Sequence, residues 1–247
     1  MAALGAEVTL ATSFSSEFDR EALQGLHLLL REHSELPRYA NSYDRAGNRT
    51  QLLLAPGDAL ELDGLVPRHY SADAVMVAPA FHEVRSLAGL PATLLVAVSL
   101  QGPLRAVAPD QRIIPHTDPF GVARKFIRPG RLAFFSEEDT PEPERLARHV
   151  TTLGATAILT RGYNGATLFA SDGSQHHWEA IPADPVDPTG AGDCFASAFL
   201  FRLAETNDLA QAMRFALAAG ALAVEGNGLL GVATREAIEA RMTREAA

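Results

Sequence analysis

Short apolar runs alternate with amphipathic stretches along most of this chain. Ala74–Ala78, Thr93–Ser99, Arg131–Phe135 and Ala155–Thr160 are brief and apolar, and Gly, Pro or Asp residues bound them. Continuous apolarity over so few residues predicts strands buried on both faces. Longer stretches carry the helical period. Asp208 to Glu225 places Leu209, Met213, Ala216, Leu217, Gly220 and Val224 on one face. The run after Asp193 does the same with Phe195, Phe199 and Leu203. Glu142–Leu153 and Thr234–Arg244 complete the set, with Thr234 as a cap. Strands alternating with helices at this spacing imply a mainly parallel sheet with helices on both faces.

The remaining segments carry weaker patterns. Residues 1–5 read as a helix end closed by Gly5, and Glu7–Ala11 as a short strand. Ser15 or Ser16 is placed to cap a helix through about Arg31, with Phe18, Leu23, Leu26 and Leu30 inward. Pro37–Tyr43 and Arg49–Ala55 read as two strands joined by a turn-rich link at 44–48. Across 107–129, Pro109, Pro115, Pro119 and Pro129 forbid a long helix, so a loop with short turns is expected. Ala166–Ala170 reads as a hairpin strand, His176–Ile181 as a strand end, and Gly226-Asn227-Gly228 as a left-handed helix stop.

Composition narrows the options. The 247 residues are 47% hydrophobic, enough for one sizeable core. No apolar run is long enough to span a membrane and no secretory leader is evident, so the cytoplasm is the expected location. A net charge of −9 argues against nucleic acid or an anionic membrane as partner. The single cysteine, Cys194, excludes an internal disulfide and reads as an apolar filler at a helix start. Twenty arginines accompany one lysine, Lys125. No G-x-x-x-x-G-K-[ST] exists and Lys125 has no protein-kinase context, whereas a phosphotransferase that uses backbone donors needs no lysine.

One stretch supplies such donors: Val186-Asp187-Pro188-Thr189-Gly190-Ala191-Gly192-Asp193. Its glycines let the backbone approach a ligand with no Cβ in the way. The first N–H groups of the following helix lack internal partners and point outward at an anion. A carboxylate beside such a place is costly unless it works, and the natural work for Asp193 is to take a proton from an attacking hydroxyl. The bland alternative is a corner whose early helix carboxylate merely suits the dipole.

The D-x-T-G-A-G-D run resembles the signature of the ribokinase-like (PfkB) carbohydrate kinases. Thr160-Arg161-Gly162-Tyr163-Asn164-Gly165 is similar to that family's T-x-G-x-x-G nucleotide loop, though alone it would read as a β-turn. The resemblance implies a three-layer αβα fold with a mainly parallel central sheet and a small β lid at 37–55, in one domain over 1–247. It implies that Asp193 is the base and that Gly190, Ala191, Gly192 and Asp193 form the anion hole. It places Thr160, Gly162, Gly165 and Asn227 against the nucleotide, and Asn41, Arg49 and Gln51 against the substrate.

The resemblance further places Ser136 and Asp139 around Mg²⁺, and Asp187 near a monovalent cation such as K⁺. The acidic run Glu137–Asp139 equally suits the start of the next helix. ATP and a sugar or polyol would be the ligands, and lid-mediated homodimers occur in the family. The chain departs from the family in three places. It starts inside the family's first helix, without the Gly-Gly pair and the aspartate that hold substrate hydroxyls. Ser99 stands where an aspartate is common, and Leu217 where an asparagine is common. Two alternatives stay open: a nucleotide-binding relic or regulatory module of the same fold, and an unrelated α/β enzyme that binds another anion.

Overall fold

A computed structural model describes residues 1–15, 20–32, 35–43, 49–60, 72–87, 89–91 and 94–245. The apolar runs form the expected strands. β5 (Ala74–Val77), β6 (Leu95–Ser99), β9 (Leu132–Ser136) and β10 (Thr156–Thr160) pair in parallel, and an antiparallel hairpin of β11 (Ala166–Phe169) and β12 (Gln175–Trp178) extends one edge. The order across the sheet is β12-β11-β10-β9-β6-β5.

Successive side chains on a strand face opposite ways, and the core follows. Val96, Val98, Ala133, Phe135, Ala157 and Leu159 pack under α1 (Pro119–Phe126) and α2 (Pro143–Thr152). Ala97, Leu132, Phe134 and Ile158 pack under α3 (Ala191–Thr206) and α4 (Leu209–Glu225). The edges of the Phe195 and Phe199 rings meet Phe134, with centroids 6.4 and 5.4 Å apart. Two contacts on one strand fix the axis of α3, and with it the position of Asp193. A smaller core between α3, α4 and α5 (Arg235–Glu245) holds Phe215 and Ile238.

Outside the sheet, β3 (Arg38–Tyr43) and β4 (Arg49–Ala55) form an antiparallel hairpin. A second pair, β7 (Arg105–Val107) and β8 (Ile113–Pro115), joins it through the Leu52–Arg112 bridge and the Leu53 N–H to Gln111 carbonyl bond. The two strands expected at 37–55 are present; the link at 44–48 lies outside the described residues.

Four expectations are corrected. The first residues form one 3-10 turn, Ala2–Leu4, which Gly5 closes at φ 95. The helix expected through Arg31 is instead a 3-10 turn, Glu21–Leu23, followed by β2 (His27–Glu32). β2 pairs in parallel with β1 (Thr9–Phe14). Gly25, in the left-handed region at φ 83, stops helical propagation, and Leu28-Leu29-Leu30 have no helical period. Ser16 and Phe18, assigned to that helix, lie outside the described residues.

Residues 107–129 contain more than loop. Pro119 occupies the first turn of α1, where its missing N–H costs nothing, and the Asp118 carboxylate accepts from the Gly121 N–H at 2.8 Å. The end of α4 is not left-handed: Gly226 has φ −104. Glycine fits there because a Cβ would stand 2.3 Å from the Gly231 Cα.

Candidate active site

The corner between β12 and α3 is built from the motif picked out in the sequence. Gly190 is the N-cap of α3 in the left-handed conformation, φ 81, with no side-chain cap. Ala191 donates its N–H to the Pro188 carbonyl at 3.2 Å, and Cys194 to the Gly190 carbonyl at 2.9 Å. Among the described residues, the N–H groups of Gly192 and Asp193 have no acceptor. Cβ atoms built at Gly190 and Gly192 would meet nothing within 4 Å. The fold therefore leaves an open cradle in front of two unpaired donors at a helix start, a fit for an oxyanion such as a phosphate.

Asp193 stands in the first turn of α3 with its surface open to solvent. Its carboxyl is nevertheless partly desolvated. This desolvation raises the carboxyl above the usual carboxylate range, against an opposing pull from the Arg105 guanidinium. Cys194 is half-buried, and burial followed by the neighbouring Asp193 pushes its thiol up. It stays a protonated filler, as the sequence suggested.

Asp187 is held differently. Its Oδ1 accepts from the Thr189 N–H at 2.9 Å and its Oδ2 from the Gly228 N–H at 3.1 Å. These bonds lower its carboxyl and tie the motif to the turn that follows α4, where Asn227 stands exposed. The Val186 and Asp187 amides both reach the Val224 carbonyl, closing the same junction.

The loop from Thr160 to Gly165 lies beside β9. Thr160 and Ser136 are register partners at the ends of β10 and β9, and the Glu137 N–H donates to the Thr160 carbonyl at 3.0 Å. Gly162 has φ 52 and open space around it. Gly165 has φ 82, and a Cβ there would stand 2.0 Å from the Trp178 carbonyl oxygen. Arg161 is committed to Glu137 and Glu144, at 3.3 and 3.0 Å, which removes it as a free phosphate partner.

Asp139 accepts from the Ser136 N–H at 2.7 Å, and Ser136 Oγ accepts from the Glu138 N–H. Ser136 and Asp139 are thus together, and no described contact joins Asp187 to them. No group of three or more His, Cys, Asp or Glu that could hold a metal exists among the described residues. A divalent ion here would rely on water and phosphate oxygens, as Mg²⁺ commonly does.

On the lid, the Gln51 amide donates to Asn41 Oδ1 at 2.9 Å across β3 and β4, so these two candidates satisfy each other. Arg49 opposes Tyr43 in the ladder. The sequence reading passed over the junction between lid and sheet. The Tyr39 hydroxyl donates to the Ala80 carbonyl at 2.7 Å, and Arg105 Nη1 reaches the same oxygen at 2.6 Å. Glu83 accepts from the Ala80 and Phe81 amides. The only sequence signal was the Gln101-Gly102-x-x-Arg105 turn.

Known proteins settle the family. The profile of the pfkB family carbohydrate kinases matches residues 39–233. The chain belongs to the pfkB family. Aminoimidazole riboside kinase of Salmonella typhimurium is 40% identical over 80 residues, which is 30% of this chain and 25% of that protein. The match to each of the first three curated relatives spans no more than 30% of the relative's length. Arabidopsis thaliana ribokinase, solved with ribose and ATP, superposes with a TM-score of 0.73 at 18% identity, over 98% of this chain and 83% of its own. A pyrophosphate-dependent kinase of the ribokinase family, solved with a pyrophosphate analog and myo-inositol, gives 0.72 at 17% identity, over 97% and 87%. These likenesses establish the ribokinase-like αβα fold.

Proposed function

We propose that this protein is an ATP-dependent sugar or polyol kinase, a phosphotransferase with an alcohol acceptor, working as one ribokinase-like domain with 37–55 as its lid. The observation that carries this is the corner itself: two unpaired amides, two glycines facing open space, and a carboxyl raised by desolvation at the same helix start. The Gly192 and Asp193 amides donate to the oxygens of the phosphoryl group in transfer. Asp193 accepts the proton of the acceptor hydroxyl. A raised pKa makes it a stronger base than an ordinary carboxylate. Phosphoryl transfer asks a protein mainly for positioning and charge stabilisation, and this corner offers both.

Thr160, Gly162, Gly165 and Asn227 line the donor side of this reading, and Asn41, Arg49 and Gln51 the acceptor side. Bound Mg²⁺ would offset phosphate charge, with Ser136 and Asp139 ordering its water, and a K⁺ ion would sit by Asp187. No described helix is long and apolar enough to cross a membrane. Work in the cytoplasm, where ATP is plentiful, fits the reading, as does a lid-mediated homodimer.

The test is a panel of D-ribose, D-fructose, myo-inositol and adenosine with ATP and Mg²⁺, read by ADP release. Asp193→Asn should lose about 10²–10⁴ in turnover, the usual weight of one general base, and keep its ATP affinity. Equal turnover in the two proteins would overturn the assignment.

A further inference from the structure

The two faces of the sheet are covered by different helices, α1 and α2 on one side and α3 and α4 on the other. The α3 corner belongs to the second side. On the first, a cavity of about 340 Å³ opens between α1 and α2, lined by Asp118, Phe120, Arg124, Arg145 and His149. A hollow of that size accepts a small molecule. No described hydrogen bond or ion pair joins these five residues to Gly190–Asp193. The Phe120 and His149 rings meet edge to face, with centroids 5.2 Å apart, and the Arg145 guanidinium stands 4.9 Å over Phe120. His149 Nε2 is buried with no hydrogen-bond partner among the described residues, a cost that packing alone does not explain. Burial, and then the charge of Arg124, hold this imidazole below its ordinary pKa, so the cations of the hollow are its arginines.

Those arginines are unequally answered. Arg145 Nη1 donates to both Glu142 carboxylate oxygens, at 2.8 and 3.0 Å, which leaves its Nε and Nη2 without an acceptor among the described residues. Arg124 stands 3.9 Å from Asp118, outside hydrogen-bond reach, and Asp118 Oδ1 already accepts from the Gly121 N–H. The Arg124 guanidinium has no acceptor among the described residues. The surrounding sequence adds to the imbalance. Between Asp118 and Glu137 there is no acid, yet Arg124, Lys125, Arg128 and Arg131 all fall there. Arg128 and Arg131 donate to backbone carbonyls, which cancel no charge. On a chain of net charge −9, this end of α1 stays positive. Asp118 and Glu142 offset the two lining guanidiniums, so the surplus comes from the residues that follow Arg124. Such a surplus suits one phosphoryl or carboxylate group rather than a polyphosphate.

We propose that the hollow between α1 and α2 is a second ligand site, apart from the α3 corner, for a small organic anion. Arg124 and the free N–H groups of Arg145 hold its phosphoryl or carboxylate oxygens, and Phe120 meets its apolar body. The bonds to oxygen are charge-assisted and of the stronger kind. An uncharged ligand of the same shape gains none of them. The site does not depend on the kinase reading, and its test measures binding without turnover.

The test is calorimetry on the full chain with phenyl phosphate, benzoate, inorganic phosphate and the uncharged benzyl alcohol. Phenyl phosphate or benzoate should bind, the tighter of the two naming the head group, and benzyl alcohol should not. Inorganic phosphate should bind about 10-fold more weakly than phenyl phosphate, for want of a ring to meet Phe120. Arg124→Gln should weaken the organic anion about 10–100-fold, the usual weight of a hydrogen bond to a charged group. Its Tm should stay near that of wild type, because the side chain is 55% exposed. Arg145→Gln should act in the same direction. Gly192→Val, altered at the other corner, should bind the organic anion as wild type does. Binding lost in Gly192→Val and kept in Arg124→Gln would belong to the α3 corner and overturns the proposal. Unchanged affinity in both arginine variants overturns it too, as does equal binding of benzyl alcohol or of inorganic phosphate. Absence of binding by every probe at millimolar concentration has the same force.

Discussion

Two glycine corners stand at the edge of the same sheet, and they use glycine for opposite reasons. In the loop from Thr160 to Gly165, a Cβ on Gly165 would strike the Trp178 carbonyl oxygen at 2.0 Å, with the Ala180 nitrogen at 2.7 Å. At the start of α3, a Cβ on Gly190 or Gly192 would meet nothing within 4 Å. Gly165 is needed by the fold, because two stretches of backbone pass too closely for a side chain. Gly192 satisfies no such need: its backbone is helical and its surroundings are empty. Glycine costs roughly 0.5–1 kcal/mol against alanine inside a helix. A helical glycine with vacant space before it is therefore best explained by something that arrives from outside.

Substitutions can break this contrast, and the largest effect falls on the fold-held glycine. Gly165→Ala combines a glycine-only backbone conformation with a direct clash, each worth about 1–3 kcal/mol. Denaturant unfolding should show a loss of several kcal/mol, and a loss below about 1 kcal/mol would dissolve the distinction. Gly162 sharpens it. At φ 52 in open space, Gly162→Ala should cost only the left-handed penalty of about 1–2 kcal/mol, measured in the same way.

The smallest effect concerns the acid beside the open corner. Asp193 has a folded pKa above its unfolded one. Stability from this group is therefore full below the unfolded pKa and lost as pH rises through the folded value. Asp193→Asn escapes that loss. Its Tm should exceed that of wild type near pH 8, and the gap should close near pH 4, around the ordinary carboxylate pKa. A wild-type protein that remains the more stable at high pH would show that the carboxylate is stabilised in the fold.

Much of this contrast was legible in the sequence. Val96-Ala97-Val98 and Leu132 to Phe135 announced strands buried on both faces, because apolar side chains on a doubly covered sheet need no alternation. The α3 corner was legible as a helix start because two glycines and no capping side chain precede the Phe195, Phe199 and Leu203 face. Residues 21–32 misled because leucine spacing suggests a helix even where Gly25 ends it, and only the pairing of β2 with β1 decides. In 113–126 the prolines were read as breakers, although Asp118 with Pro119 is a good helix start.

The central claim is that the α3 corner is kept open for an anion. The most direct measurement is ATP binding by calorimetry, beside thermal melting, for Gly192→Val and Gly165→Ala. A valine entering the cradle should cost Gly192→Val about 10–100-fold in affinity, the loss of one charge-assisted hydrogen bond, while its Tm stays near that of wild type. Gly165→Ala should show the reverse, a depressed Tm with nucleotide affinity retained in the folded fraction. Wild-type ATP affinity in Gly192→Val would contradict the account.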